Sequence, residues 1–262
     1  MALVRAAAWL RPTARTGPSW PLRAEPSVFG FGAAFLASAV GAAAAGAIAG
    51  EASPPLKRLA AIALGAHAGQ LATVAVLFSA PTLRTRAAAS TAGRGGVHAH
   101  PRGMAESLLM GAAAALLAWP VAQAAGGIAA LVSSWIGPGA PALGHRTLEA
   151  LSESGAGDPW WWLTVAGALA VGPLAEEFVY RGLLQQGLKA SGMPAAGAIG
   201  ITAALFAVVH WGSLTDGARA AGLSTLVVLA VAWGMLYERT GRIAAPALAH
   251  ALFNAANLWI AS

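Results

Sequence analysis

The sequence predicts an all-α fold, a polytopic transmembrane helical bundle of about seven spans, and three observations predict it. Of 262 residues, 57 % are hydrophobic and only 10 % are charged, whereas a water-soluble domain carries roughly a quarter charged residues. Mean hydropathy is +0.64. The apolar residues stand in runs of about 20, the number a helix needs to cross roughly 30 Å of hydrocarbon. The same figures exclude disorder, and the lack of a Gly-x-y repeat excludes collagen. The absence of Cys removes disulfide frameworks, thiolate metal sites, Cys nucleophiles and Cys-linked lipid anchors. A net charge of +6 does not indicate nucleic acid, because the Arg residues lie between apolar runs instead of clustering with aromatics on a basic face.

Val28 to Gly50 carries no charge and is the first span; Leu59 to Ala80 is the second, interrupted by His67 and Gln70. Leu108 to Trp135 is the third, with a kink expected at Pro120. The fourth opens at Trp160-Trp161-Trp162, a cluster suited to the headgroup boundary, and runs through Gly172-Pro173 and past Arg181 to Leu188. Pro194 to Trp211, Ala220 to Tyr237 and Ile243 to Ile260 complete the set. Three regions follow: a basic cytoplasmic tail over 1–27, N-terminal membrane helices over 28–160 with a basic loop at 81–107, and a C-terminal helical bundle over 161–262.

Loop charge sets the orientation. Arg5, Arg11, Arg15 and Arg23 precede the first span, and Arg84, Arg86, Arg94 and Arg102 lie between the second and third. The loop after the third span instead carries Glu149, Glu153 and Asp158 against Arg146. The excess of Lys and Arg on cytoplasmic loops then places the N-terminus in the cytoplasm and the C-terminus outside. The Arg-rich, acid-poor start shares its composition with mitochondrial presequences, but basic flanks are also what a first span requires. His98 and His100 lie in the Gly-rich basic loop and read as loop residues. Ala- and Gly-rich, Lys-poor usage points to a high-GC bacterium, hence first to the plasma membrane and second to an organelle membrane.

Glu176 and Glu177 stand inside an apolar run, with Arg181 one helical turn later. A carboxylate at bilayer depth costs roughly 2.5–3.5 kcal/mol on insertion scales, so such residues mark function. Glu177 and Arg181 have the i, i+4 spacing and order of a same-face pair, whereas Glu176 projects about 100° away around the helix. A purely structural ion-paired knot fits these three residues equally well. His210 ends the fifth span, and His250 with Asn254 one turn later lies in the seventh. Each of these side chains needs partners that lipid does not supply, and a shared wet cavity satisfies all of them. A lone membrane His is usually a packing residue, and His67 beside Gln70 is read that way. On these spacings Glu176 sits near mid-helix and His210 some 24 Å along the fifth span, so their depths meet only through tilt or a shallow fifth helix.

Glu176-Glu177-Phe-Val-Tyr-Arg181-Gly182, then Phe206 to His210, then His250 to Asn254, in this order on successive spans, resembles the CPBP family of membrane proteases. That family includes the CAAX prenyl endopeptidases and bacteriocin-immunity relatives. The resemblance covers roughly the C-terminal hundred residues, and residues before about Leu163 match only as generic apolar helices. Tyr180 stands where the family often has Phe.

The resemblance implies hydrolysis of a peptide bond within the membrane by a glutamate-activated water. It implies Glu176 as general base, His210 holding and polarising the water, and His250 with Asn254 facing the developing oxyanion, while Glu177 and Arg181 orient the site. It implies membrane lipid and a protein or peptide substrate, prenylated or not, as partners. No metal or cofactor is expected: a catalytic zinc takes three firm protein ligands, and Glu177 is expected to be held by Arg181. Two other readings fit the polar residues. A non-catalytic scaffold or immunity-type protein would keep them for packing, and an ion-coupled transporter would relay protons through them.

Overall fold

A computed structural model describes residues 21–83, 103–135 and 144–261. Most of the 1–27 tail and of the 81–107 loop, including His98 and His100, lies outside the described residues. The helices are α1 (Ala24–Ala49), α2 (Pro55–Ser79), α3 (Met104–Ser134), α4 (Arg146–Ser154), α5 (Pro159–Ala190), α6 (Ala195–Val209), α7 (Arg219–Thr240) and α8 (Ala244–Ala261). Short 3₁₀ turns at His210–Ser213 and Asp216–Ala218 join α6 to α7. Among the described residues there is no sheet; the one extended pairing is an antiparallel bridge between His145 and Leu214.

Six helices (α1, α2, α3, α5, α6 with its terminal turn, and α7 with its preceding one) are long and apolar enough to cross a membrane. The seventh expected span is α8, shorter and interrupted by His250 and Asn254. The large apolar side chains these helices leave exposed, among them Phe29, Leu36, Leu116 and Ile128, clothe the lipid-facing surface. The helix α3 continues through Pro120. The acidic stretch expected as a loop after the third span contains α4, an amphipathic helix that lays Ala150 and Leu151 against Leu56, Trp160 and Trp161. Asp158, read as a loop charge, caps α5 by accepting from Trp160 N at 2.8 Å, with Pro159 at the first helical position.

The helix α5 is central: it packs against α1, α2, α6 and α8. On its α1 and α6 side Val179, Tyr180, Leu183 and Leu184 meet Phe206, Ala203 and Ala34. A second core joins α3, α7 and α8 through Ala118, Ala122, Trp233, Leu236 and Ala249.

The hairpin between α5 and α6 settles the depth of the site. Gly192 (φ 96) takes a backbone conformation that side chains rarely adopt and makes the reversal tight. Glu176 stands 14 residues before the end of α5 and His210 15 residues after the start of α6, so each lies about 20 Å from the turn. Equal arms bring both residues to one level, so neither tilt nor a shallow sixth helix is required to join them.

Small residues let α1 and α2 approach backbone to backbone. A Cβ on Gly65 would run into the Gly41 carbonyl, and one on Gly69 into the Ala37 carbonyl. In lipid, where burying apolar surface supplies no drive between helices, such close packing is the main attraction. Gly69→Val should therefore cost about 1–3 kcal/mol through overpacking, read as a lower unfolding temperature in detergent. Gly32→Ala, whose Cβ meets nothing within 4 Å, should leave that temperature unchanged.

Candidate active site

The helix α5 is not a uniform α-helix. It widens to π-type turns at Gly167–Val171, returns to α over Gly172–Glu177 and widens again over Phe178–Gln185. Proline explains the first departure, since Pro173 has no N–H and its ring clashes with the carbonyl four residues back. Gly172 gives its own N–H to Gly167 O, which leaves the Ala168 carbonyl short of a donor. Asn254 Nδ2 donates to that oxygen at 2.8 Å and thereby ties α8 to α5. The single α-helical turn between the two wide segments carries both glutamates, and π-type turns concentrate at functional sites.

Glu177 and Arg181 are fully buried, with Nε to Oε2 at 2.9 Å. The guanidinium also lies over the Phe206 ring, 5.6 Å from its centroid. The other oxygen of Glu177 accepts from His250 Nδ1 at 3.2 Å. Glu177 is thus engaged on both oxygens, as the i, i+4 spacing predicted for its partnership with Arg181. Glu176 points elsewhere: its Oε2 lies 4.0 Å from His210 Nε2 and 3.9 Å from His250 Nε2. Its side chain is 15 % exposed and that of His210 20 %, so this carboxylate is reachable where its neighbour is sealed.

The hydrogen-bond partners fix the histidine protons. His210 Nδ1 lies 2.6 Å from the Phe206 carbonyl, which only accepts, so Nδ1 carries the proton. His250 Nδ1 faces a carboxylate and carries its proton likewise. In the neutral rings both Nε2 atoms are then acceptors, and both face a third acceptor, Glu176 Oε2. Each Nε2 lies about 4 Å from Glu176 Oε2, and acceptors do not bond one another directly. They suit a molecule that brings two protons among them, and water has that form.

Two further histidines border the site from outside the motifs. His67 on α2, which bonds Gln70 Oε1 through Nδ1 at 3.1 Å, rests its ring on Gly172, one turn before Glu176. Its reading as a packing residue describes that bond; its place beside the glutamate turn was not legible. His145 caps α4, its Nδ1 accepting from Thr147 N at 3.2 Å. It is also bridged to Leu214, four residues after His210. Burial first, and the nearby His210 second, push the His145 imidazole down to about 4, with Glu176 opposing. His145 is therefore a neutral ring whose Nε2 holds its proton. Among the described residues no three His, Asp or Glu side chains stand in a metal-holding arrangement.

Breaking a buried ion pair strands a charge, at a cost of about 3–5 kcal/mol. Arg181→Ala should accordingly lower the unfolding temperature strongly or abolish folding, whereas Glu176→Gln should leave it nearly unchanged in the same thermal assay. His145 predicts a pH effect. Its folded value lies below the ordinary 6.5, so the unfolded chain binds its proton first, and the stability this neutral ring contributes is lost as pH falls from about 6.5 to 4. His145→Asn, which still caps a helix, should remove that component from the difference in unfolding temperature between the two proteins across this window.

No curated protein and no solved structure matches the chain. Residues 158–256, the stretch that carries both glutamates, Arg181, His210, His250 and Asn254, match the family model described as Type II CAAX prenyl endopeptidase Rce1-like, the membrane protease family that these motifs resemble.

Proposed function

We propose that the protein is an intramembrane endopeptidase that hydrolyses a peptide bond of a membrane-associated protein or peptide with a water activated on Glu176. It acts in a bacterial plasma membrane with its N-terminus in the cytoplasm. The observation that carries the reading is the convergence of Glu176 Oε2 with His210 Nε2 and His250 Nε2, at 4.0 and 3.9 Å, on a carboxylate that stays partly exposed.

In this reading a water donates one proton to Glu176 and the other to His210 Nε2, the acceptor that the Phe206 carbonyl leaves free. Glu176 takes its proton fully as the water oxygen bonds to the scissile carbonyl carbon. The carbonyl oxygen becomes an oxyanion, faced by His250 and Asn254. Asn254 retains one amide N–H for it beyond the one given to Ala168, and His250, neutral in the resting site, donates from Nε2 only once it has taken up a proton from solvent. Preorganised donors of this kind contribute about 2.7–4 kcal/mol each. Glu176 then passes its proton to the amide nitrogen, the C–N bond breaks, and the carboxylate is restored. Arg181 and Glu177 position His250 and take no proton. The substrate lies against lipid and is cut with or without a prenyl group.

Positioned general bases contribute about 10²–10⁴-fold. Glu176→Ala and His210→Ala in purified protein should each lower turnover of a cleavable peptide at least about 100-fold while the unfolding temperature stays near that of the parent. Full turnover in both variants would overturn the mechanism. Glu176→Gln separates it from a scaffold, because the amide keeps the shape and accepts no proton: a biological effect that survives this change belongs to a non-catalytic protein.

A further inference from the structure

We infer that His67 on α2, outside the stretch that carries the family motifs, is a positioning residue for Glu176. The inference rests on the endopeptidase reading for the reaction it serves and on helix register for its place.

The glycines of α2 decide where His67 points. Gly65 and Gly69 lie one turn apart and press their backbone on Gly41 and Ala37 of α1. His67 stands two residues from each, about 200° around the helix, so the face that packs on α1 turns His67 the opposite way, toward α5. Leu64, His67 and Val74 share this second face, and their contacts follow α5 in step. A Cβ on Gly167 would meet Leu64 Cδ2 at 3.5 Å, and one on Gly172 would meet His67 Nε2 at 3.1 Å. Val74 then shares a core with Val179 and Leu183. The helices α2 and α5 therefore run side by side in one direction, with His67 level with the start of the turn that carries the glutamates.

Gly172 and Glu176 are four residues apart within the α-helical segment Gly172–Glu177, hence on one face of it, and the Cα–Cβ bond of Glu176 tilts back toward Gly172. Gly172 offers no side chain beside that stem. The space is taken by the imidazole of His67, which stands near enough for any charge on it to act on Glu176. The ring is oriented from behind: Nδ1 donates to Gln70 Oε1 at 3.1 Å, so in the neutral ring Nε2 is an acceptor. An acceptor does not bond a carboxylate. His67 thus walls off the side of Glu176 that faces α2 without satisfying it, and the carboxylate is left to turn toward His210 and His250, where Oε2 lies at 4.0 and 3.9 Å. A donor in this place would occupy the oxygen that has to take a proton from water, and a smaller side chain would let the carboxylate fold back along α5.

The test uses the purified full-length chain and a cleavable peptide. Because a misplacement of about 1 Å is enough to cost on the order of 100-fold, His67→Ala should lower kcat at least about tenfold, with KM within about twofold and the unfolding temperature near that of the parent. Gln70→Leu keeps the imidazole and removes the oxygen that orients it; it should lower kcat by a smaller factor, about threefold, and it decides the matter where His67→Ala does not fold. In a Glu176→Gln background His67→Ala should change the residual turnover by less than about twofold, since a residue that acts only through Glu176 has nothing left to position. Parent-like kcat in the deciding variant overturns the inference, and so does a loss of about tenfold that persists in the Glu176→Gln background. Full turnover in Glu176→Gln by itself overturns the endopeptidase mechanism instead, so the two failures are distinguishable.

Discussion

The site depends on one buried ion pair. Glu177 and Arg181 are sealed from solvent, 2.9 Å apart, in surroundings where either charge alone is costly. Because Arg181 holds one oxygen of Glu177, the other is left for His250 Nδ1, and this fixes the ring so that its Nε2 turns toward Glu176. A single helical turn thus separates two adjacent glutamates into unlike tasks: one satisfies a cation and orients a histidine, and the other keeps an oxygen open to an incoming molecule. Exchange their environments and neither task is met, since a sealed carboxylate reaches no substrate and an exposed one fixes no ring.

The backbone around that turn is built to match. Two π-type segments bracket it, and each uses more residues per turn than the α-helix, so side chains are re-aimed relative to a uniform helix. Pro173 forces the first segment, and the carbonyl it leaves short of a donor is recovered by Asn254. Asn254 therefore contributes to the architecture before any chemistry begins, because its amide joins α8, the helix carrying His250, to α5, the helix carrying the glutamates. In the proposed reaction only the remaining amide N–H of Asn254 is a donor to the oxyanion.

The spans were legible because lipid imposes a composition that no other solvent imposes, and their edges moved by only a few residues. Glu176, Glu177, Arg181, His210 and His250 were legible as side chains in need of partners, because ionisable groups in an apolar run are costly, and they do lie together. What the sequence hid has physical causes. The common depth of Glu176 and His210 depends on where the α5–α6 turn falls, and neither hydropathy nor spacing encodes equal arms. The first π-type segment arises from Pro173 acting with Gly172, a local competition for donors that periodicity does not register. His145 is distant in sequence from the motifs and meets them only because Gly144 and His145 pair with Leu214 and Thr215. Nothing in the spacing of Lys189 and Glu238, 49 residues apart, marks the link they form with Gln185 between two helices.

The proton inventory gives the chamber its chemical character. His210, His250 and Glu176 present three acceptor atoms to one another once the Phe206 carbonyl and Glu177 have taken the Nδ1 protons. Such a cluster is unsatisfied in a dry state, and acceptor-only contacts in a low dielectric are unfavourable. In the proposed reaction a water supplies the missing donors, one proton toward Glu176 and one toward a histidine Nε2, and its oxygen lone pairs are then left for the scissile carbon. The deficit of protons among these three side chains is thus what suits them to water, and the buried Tyr180 and Phe206 rings close the space beneath them.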